Sequence, residues 1–170
     1  SQFKELTQAG ERPVERVSWL EAIKLCNALS ELFDLKPAYT ISGEGEDIKV
    51  ERVAESEGYR LPTEAEWELA AGAKESCRFA GAQDLDAVAW HGELSGGTTQ
   101  PVRQKQPNAF GLYDCSGNVW EWVTDTYRPS HERVPPDGSP VRGAGLKVIR
   151  GGGFASSARE LRASTRGQRV

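Results

Sequence analysis

The sequence predicts an α+β domain with few long regular elements, on three observations. Two capping boxes open two amphipathic helices. Short apolar runs bounded by glycine, proline and acidic turns read as a hairpin and a further strand. The 18 glycines, nine prolines and five tryptophans among 170 residues describe a loop-rich globule held by scattered aromatic anchors. This length suits one core, and the expected organisation is a single domain over residues 1–170.

The first helix begins at Ser18, whose hydroxyl takes one free amide while Glu21 reaches back to another. Trp19, Ile23, Cys26, Leu29 and Phe33 recur at helical spacing, so the helix runs to about Leu32 with one face buried. Cys26 on that face reads as an inert core thiol. Ahead of it, Pro13 precedes a short extended run, Val14–Val17. Residues 36–57 read as a hairpin whose turn, Gly43–Asp47, is a solvated acidic tip.

A second capping box pairs Thr63 with Glu66, Pro62 stops anything helical before it, and Gly72 sits where a helix stop belongs. The predicted helix buries Ala65, Trp67 or Leu69, and Ala70. Glu64, Glu66 and Glu68 read as capping and solvation, because alternate helix positions point in different directions. Residues 74–107 show no sustained period, and Trp90 is the expected pin of that stretch. Thr124–Gly145 reads as an ordered surface loop, Leu146–Ile149 as a strand, and Arg150–Phe154 as the turn leaving it.

The net charge is −4, with lysine and arginine scattered, so there is no electrostatic footprint for nucleic acid. No apolar run is long enough for a membrane span, and no signal peptide opens the chain. Cys26, Cys77 and Cys115 have neither a disulfide-framework nor a CxxC spacing. His91 and His131 are too far apart in sequence for a histidine-based metal motif.

Gly111–Trp122 holds the densest special chemistry: two carboxylates, Asp114 and Glu121, the carboxamide of Asn118, two glycines and three aromatic rings. Neither simple period fits it. Glycines permit tight turns and carboxylates are hard oxygen ligands, so a compact loop built on a bound cation is expected.

Arg60–Ala71, Pro107–Trp122 and Val148–Phe154, with Pro13–Asn27 ahead of them, resemble the formylglycine-generating enzyme (sulfatase-modifying factor) family in order and approximate spacing. The resemblance covers nearly the whole chain. It implies a C-type-lectin-like fold with two helices, a small twisted antiparallel sheet and long packed loops. It also implies a structural Ca²⁺ ion, with Asp114 and Glu121 as side-chain ligands and Gly117 and Val119 as backbone-carbonyl ligands. Family enzymes hold copper with two cysteine thiolates, and a serine directly follows their Arg-Gly-Gly turn. Those positions fall here on Ser156, Leu161 and Gly153. A hydroxyl and a leucine cannot replace soft thiolates, so no copper and no catalytic residue is expected.

The favoured expectation is therefore a non-catalytic ligand-binding module that displays the segment after the Arg-Gly-Gly turn. The scaffold also resembles the variable proteins of diversity-generating retroelements, whose changeable positions would fall on Ala155, Ser156, Ser157, Arg159, Gly167 and Val170. Arg162 joins them as a candidate contact, because Arg159, Arg162 and Arg166 would share one side of a helix and suit carboxylate or phosphate ligands. The ligand, a protein or a small molecule, is not named by the sequence, nor is the compartment. The alternative is an oxidoreductase of the same superfamily. Finally, the resemblance implies strands before Ser1 and after Val170, so another chain or segment is expected to complete the sheet.

Overall fold

The computed structural model describes residues 11–92, 94–130 and 135–170, so the opening ten residues and His131 lie outside the described residues. The chain forms two compact units: Val17–Leu61, and Pro62–Val170 together with the residues before Val17.

In the first unit, helix α1 (Trp19–Leu32) starts at the Ser18 capping box, with the Glu21 amide donating to the Ser18 hydroxyl. It buries Ile23, Cys26 and Ser30. Phe33, expected on the same face, is instead 58% exposed, because the helix has ended and residue 33 has left the helical angle. Strands β1 (Tyr39–Ser42) and β2 (Lys49–Arg52) form the predicted hairpin around a short 3₁₀ turn, Gly45–Asp47. Ala38 and Tyr39 join Ile23 and Cys26 in the core, and Asn27 clamps Tyr39 by accepting from its N–H and donating to its carbonyl. The segment Val14–Val17 forms no strand; Arg16 turns it with φ +59°.

The second unit is built from helix α2 (Glu64–Gly72), the four-residue helix α3 (Leu85–Val88), and an antiparallel sheet of β3 (Glu121–Thr126), β4 (Lys147–Arg150) and β5 (Arg166–Arg169) in the order β3-β4-β5. The fold is thus α+β with a small antiparallel sheet, as the sequence predicts, and with a third short helix beyond the two expected. Two clusters fill the unit. Trp67, Ala71, Ala80, Val123, Val148 and Ala163 form one; Phe79, Leu85, Val88, Ala89 and Leu161 form the other. Among the described residues no helix is long and apolar enough to cross a membrane.

Helix α2 departs from its sequence reading in three ways. Its buried face is Glu64, Trp67 and Ala71, while Leu69 is 56% exposed and Ala65 is exposed too. The helix runs through Gly72, and the left-handed cap falls on Ala73, φ +47°. That end is held from outside: the Asn108 side chain donates to the carbonyls of Ala70 and Ala71, so a glycine terminator is not needed. Glu64 is not a solvated charge. Arg166 grips it with two parallel bonds of 2.6 and 2.8 Å, and both side chains are 9% exposed. The buried Asp125 of β3 accepts from the Glu64 N–H, which pins the start of α2 to the sheet.

Trp90 is anchored as expected: its carbonyl accepts from the Asn118 N–H and Lys105 Nζ lies 4.2 Å from its ring centroid. The predicted strand is displaced by one residue, to Lys147–Arg150.

Candidate functional site

The chain enters the cation-candidate loop through Asn108, whose Oδ1 accepts from the Phe110 and Leu112 amides while its Nδ2 holds α2. Asp114, Gly117 and Asn118 then take positive φ values of +58°, +84° and +62°, winding the backbone tightly enough to bring residues 114–121 around a small volume. Glycine at 117 is required as well by contact: a Cβ there would stand 2.4 Å from the Trp90 carbonyl oxygen. Asn118 is a staple rather than a ligand candidate. Its Oδ1 accepts from Gln100 N–H, its Nδ2 donates to the Gln100 carbonyl, and it is 1% exposed.

Asp114, Val119 and Glu121 all line a cavity of about 350 Å³, together with Asn118 and Tyr113. Gly117, the fourth expected ligand, does not line it. One Asp114 oxygen accepts from the Arg103 N–H at 2.8 Å, and the other, Oδ1, is buried with no hydrogen-bond partner. Glu121 is clasped through Oε2 by the indole N–H of Trp67 at 2.5 Å. Its residue surface is partly accessible because it opens on the cavity, but protein surrounds the carboxyl. Burial therefore pushes its pKa up to about 7; the Trp67 bond opposes this and the charge of Asp114 adds to it.

Two carboxylates face one cavity, one with an orphaned buried oxygen, and their charges repel each other. A hard divalent ion with oxygen ligands fits that arrangement, and Ca²⁺ accepts such a mixture of carboxylates and backbone carbonyls. Among the described residues no group of three or more His, Cys, Asp or Glu is assembled, so side chains would offer an ion here only the carboxylates of Asp114 and Glu121, and backbone carbonyls or water would have to supply its other ligands.

The display segment is organised by Arg150, which is fully buried at the end of β4. Its guanidinium donates to the carbonyls of Ala163, Ser164 and Thr165 and to Glu68, and lies 5.0 Å from the Trp67 ring centroid. Burial lowers its pKa, against which Glu68 and Glu64 act. From the other side, Ser116 donates to the Leu161 carbonyl and Ser95 to that of Phe154. Leu161 itself is 0% exposed. Residues 154–165 are turns, not a helix, so Arg159, Arg162 and Arg166 do not share a helix face; Arg166 belongs to β5.

Of the expected ligand-contacting residues, Ala155, Ser157, Arg159, Arg162 and Val170 are exposed. Ser156 is buried and accepts from the Gly153 N–H, closing the glycine turn. Gly167 leaves space for packing, since a Cβ there would meet Ile149 at 2.8 Å and Trp120 at 2.9 Å. The positions that resemblance aligns with copper thiolates thus hold a turn-closing hydroxyl and a core leucine.

Sequence reasoning missed the Trp67 clasp on Glu121 and the ion-pair cluster in which buried Glu64, Arg150 and Arg166 meet the exposed Glu68. A signal for the latter was present. Glu64 and Glu68 are four apart, and residues at that spacing share a helix face.

The sulfatase-modifying factor enzyme 1-like domain matches residues 1–170. The chain is 39% identical to chaperone protein LppX of Paenibacillus barcinonensis across 86% of its own length and 60% of that protein. It is 36% identical to the formylglycine-generating enzyme of Streptomyces coelicolor across 57% of its length and 36% of that enzyme. Among solved structures, Treponema denticola variable protein 1 superposes with a TM-score of 0.87 and 35% identity, over 95% of this chain and 66% of that one. The chain therefore spans less than two thirds of each of these relatives. By its motifs, its fold and the family match over residues 1–170, the chain belongs to the sulfatase-modifying factor enzyme 1-like domain family.

Proposed function

We propose that the chain is a non-catalytic ligand-binding module of the diversified, variable-protein kind, stabilised by one structural Ca²⁺ ion. The observation that supports it best is how the segment after the glycine turn is held. Arg150, Ser116 and Ser95 bind backbone carbonyls, and Leu161 anchors the core, so the outward side chains at 155, 159 and 162 contribute none of these holding bonds, while that of Ser157 closes a local turn by donating to Glu160. Such a segment accepts changed side chains without losing its path. Two relatives agree in kind, one named a variable protein and one named a chaperone. The buried Ser156 and Leu161 support a site without copper chemistry.

Display of a peptide and protein library against the wild-type chain, and against a variant carrying Ala155→Glu, Arg159→Glu and Arg162→Glu, tests the module. Ligands recovered only by the wild type are expected, with both proteins melting alike. Recovery of none, or stoichiometric copper or iron on elemental analysis, overturns the reading.

Calcium is tested separately. At about a hundredfold excess over its dissociation constant, Ca²⁺ is expected to stabilise the fold by about 2.7 kcal/mol. Asp114→Asn with Glu121→Gln abolishes that shift. The pH dependence follows from Glu121, whose folded pKa is raised to about 7 from 4.5. Without calcium, stability is therefore lost as pH rises through that range, while the ion requires the carboxylate. The calcium-induced shift in melting should be smaller at about pH 5 than at about pH 8. Equal melting in calcium and in chelator at both pH values rules the ion out.

A further inference from the structure

A groove of the second unit, about 860 Å³, lies between the exposed face of α2, residues 74–78 and the 162–164 turn. Six charged residues line it: Glu64, Glu68 and Glu75 against Lys74, Arg78 and Arg162. Taken alone they balance. Two of the carboxylates are already satisfied from behind, however: Glu64 by the fork of Arg166 and Glu68 by the buried Arg150. What remains is Lys74, Arg78 and Arg162 against Glu75 alone, an excess of positive charge within a chain whose net charge is −4. Among the described residues none of these three cations has a carboxylate within 4.0 Å, the ion-pair distance reached by Arg150 and Arg166. Leu69, 56% exposed, adds an apolar wall.

We infer that this groove binds an acidic peptide segment of a protein partner, with Lys74, Arg78 and Arg162 pairing its carboxylates and Leu69 covering an apolar side chain between them. The volume exceeds what one inorganic anion fills and suits a ligand of several residues. Guanidinium forks at Arg78 and Arg162 match carboxylates bidentately. Negative charge elsewhere on the chain disfavours an acidic ligand, which confines it to this one groove. The inference rests on the binding-module reading, since Arg162 belongs to the displayed segment, and it adds the ligand class and the α2 wall.

The chain carries its own reporter. Cys77 lines the groove and is partly accessible, whereas Cys26 is buried and the thiol of Cys115 is pushed up to about 12 by burial. The rate at which N-ethylmaleimide alkylates Cys77, read by mass spectrometry of the mapped peptide, is measured with blocked hexaglutamate, blocked hexalysine or inorganic phosphate present. Hexaglutamate is expected to slow Cys77 alkylation about fivefold or more, hexalysine not at all, and added salt to weaken the protection. Arg78→Glu with Arg162→Glu, both exposed positions, should weaken hexaglutamate binding by about tenfold or more while circular dichroism and melting stay unchanged. No protection by hexaglutamate, or protection indifferent to the double variant, overturns the inference. Full protection by phosphate alone also overturns it, by assigning a lone-anion site. Protection by hexalysine instead removes the acidic class yet leaves the module standing; the module falls if library display recovers no ligand dependent on residues 155–162, or if the chain carries stoichiometric copper or iron.

Discussion

Arg150→Met should lower the unfolding free energy by about 3–5 kcal/mol, the range for breaking a buried ion pair from one side. The side chain is fully buried and donates to Glu68 and to three carbonyls, those of Ala163, Ser164 and Thr165. Methionine fills much of the volume but leaves those carbonyls without a donor. It also leaves the buried Glu64 with Arg166 as its one remaining cation and strips the half-exposed Glu68 of its partner. Lysine should rescue little, since one ammonium cannot reproduce a planar fork that reaches three carbonyls. Equilibrium urea unfolding of Arg150→Met, Arg150→Lys and the exposed control Arg159→Met measures this. The control should stay within about 0.5 kcal/mol. A loss below about 1 kcal/mol at position 150 would show that the 163–165 carbonyls are held by something else.

Gly117→Ala is the second large effect, about 3 kcal/mol or more, and it arises from backbone alone. Residue 117 sits at φ +84°, which costs an L side chain roughly 1–2 kcal/mol. The new Cβ would then stand 2.4 Å from the Trp90 carbonyl oxygen. It cannot retreat, because the Gly117 N–H donates to the Gly151 carbonyl and the neighbouring Asn118 N–H to that same Trp90 carbonyl. Forcing that overlap adds roughly 1–3 kcal/mol. Gly111→Ala is the matched control. Its φ is +78° but a Cβ there meets nothing within 4 Å, so it should lose only the conformational part. If thermal melting shows equal losses at 111 and 117, contact with Trp90 is not what demands glycine.

Both residues lie within motifs the sequence made conspicuous, yet their reasons were hidden. Capping boxes, the hairpin and the strand before the glycine turn were legible because each is written in neighbouring residues. The Ser18 and Thr63 boxes both form as read. The two carboxylates of the candidate cation loop were legible for the same reason, being seven residues apart in one unusual stretch. The buried face of α2 was not legible. Its partners are Arg150 and Arg166, some eighty to a hundred residues away in sequence, and a helix carrying Glu64, Trp67 and Ala71 inward looks polar on any local pattern. The outward segment was half legible. Its exposure at 155, 157 and 159 was implied by the resemblance to variable proteins and that at 162 by the arginine spacing, but the burial of Ser156 depends on a bond to the Gly153 amide that no spacing announces.

The indole of Trp67 has Arg150 against its face and Glu121 on its N–H, so one ring is shared by the wall of the cavity and the root of the display segment. Neither side can open while the other keeps its hold on that ring. The amide hydrogens of β4 and those of residues 114–121 should therefore exchange with solvent through one common opening event, with a single protection factor, instead of fraying independently.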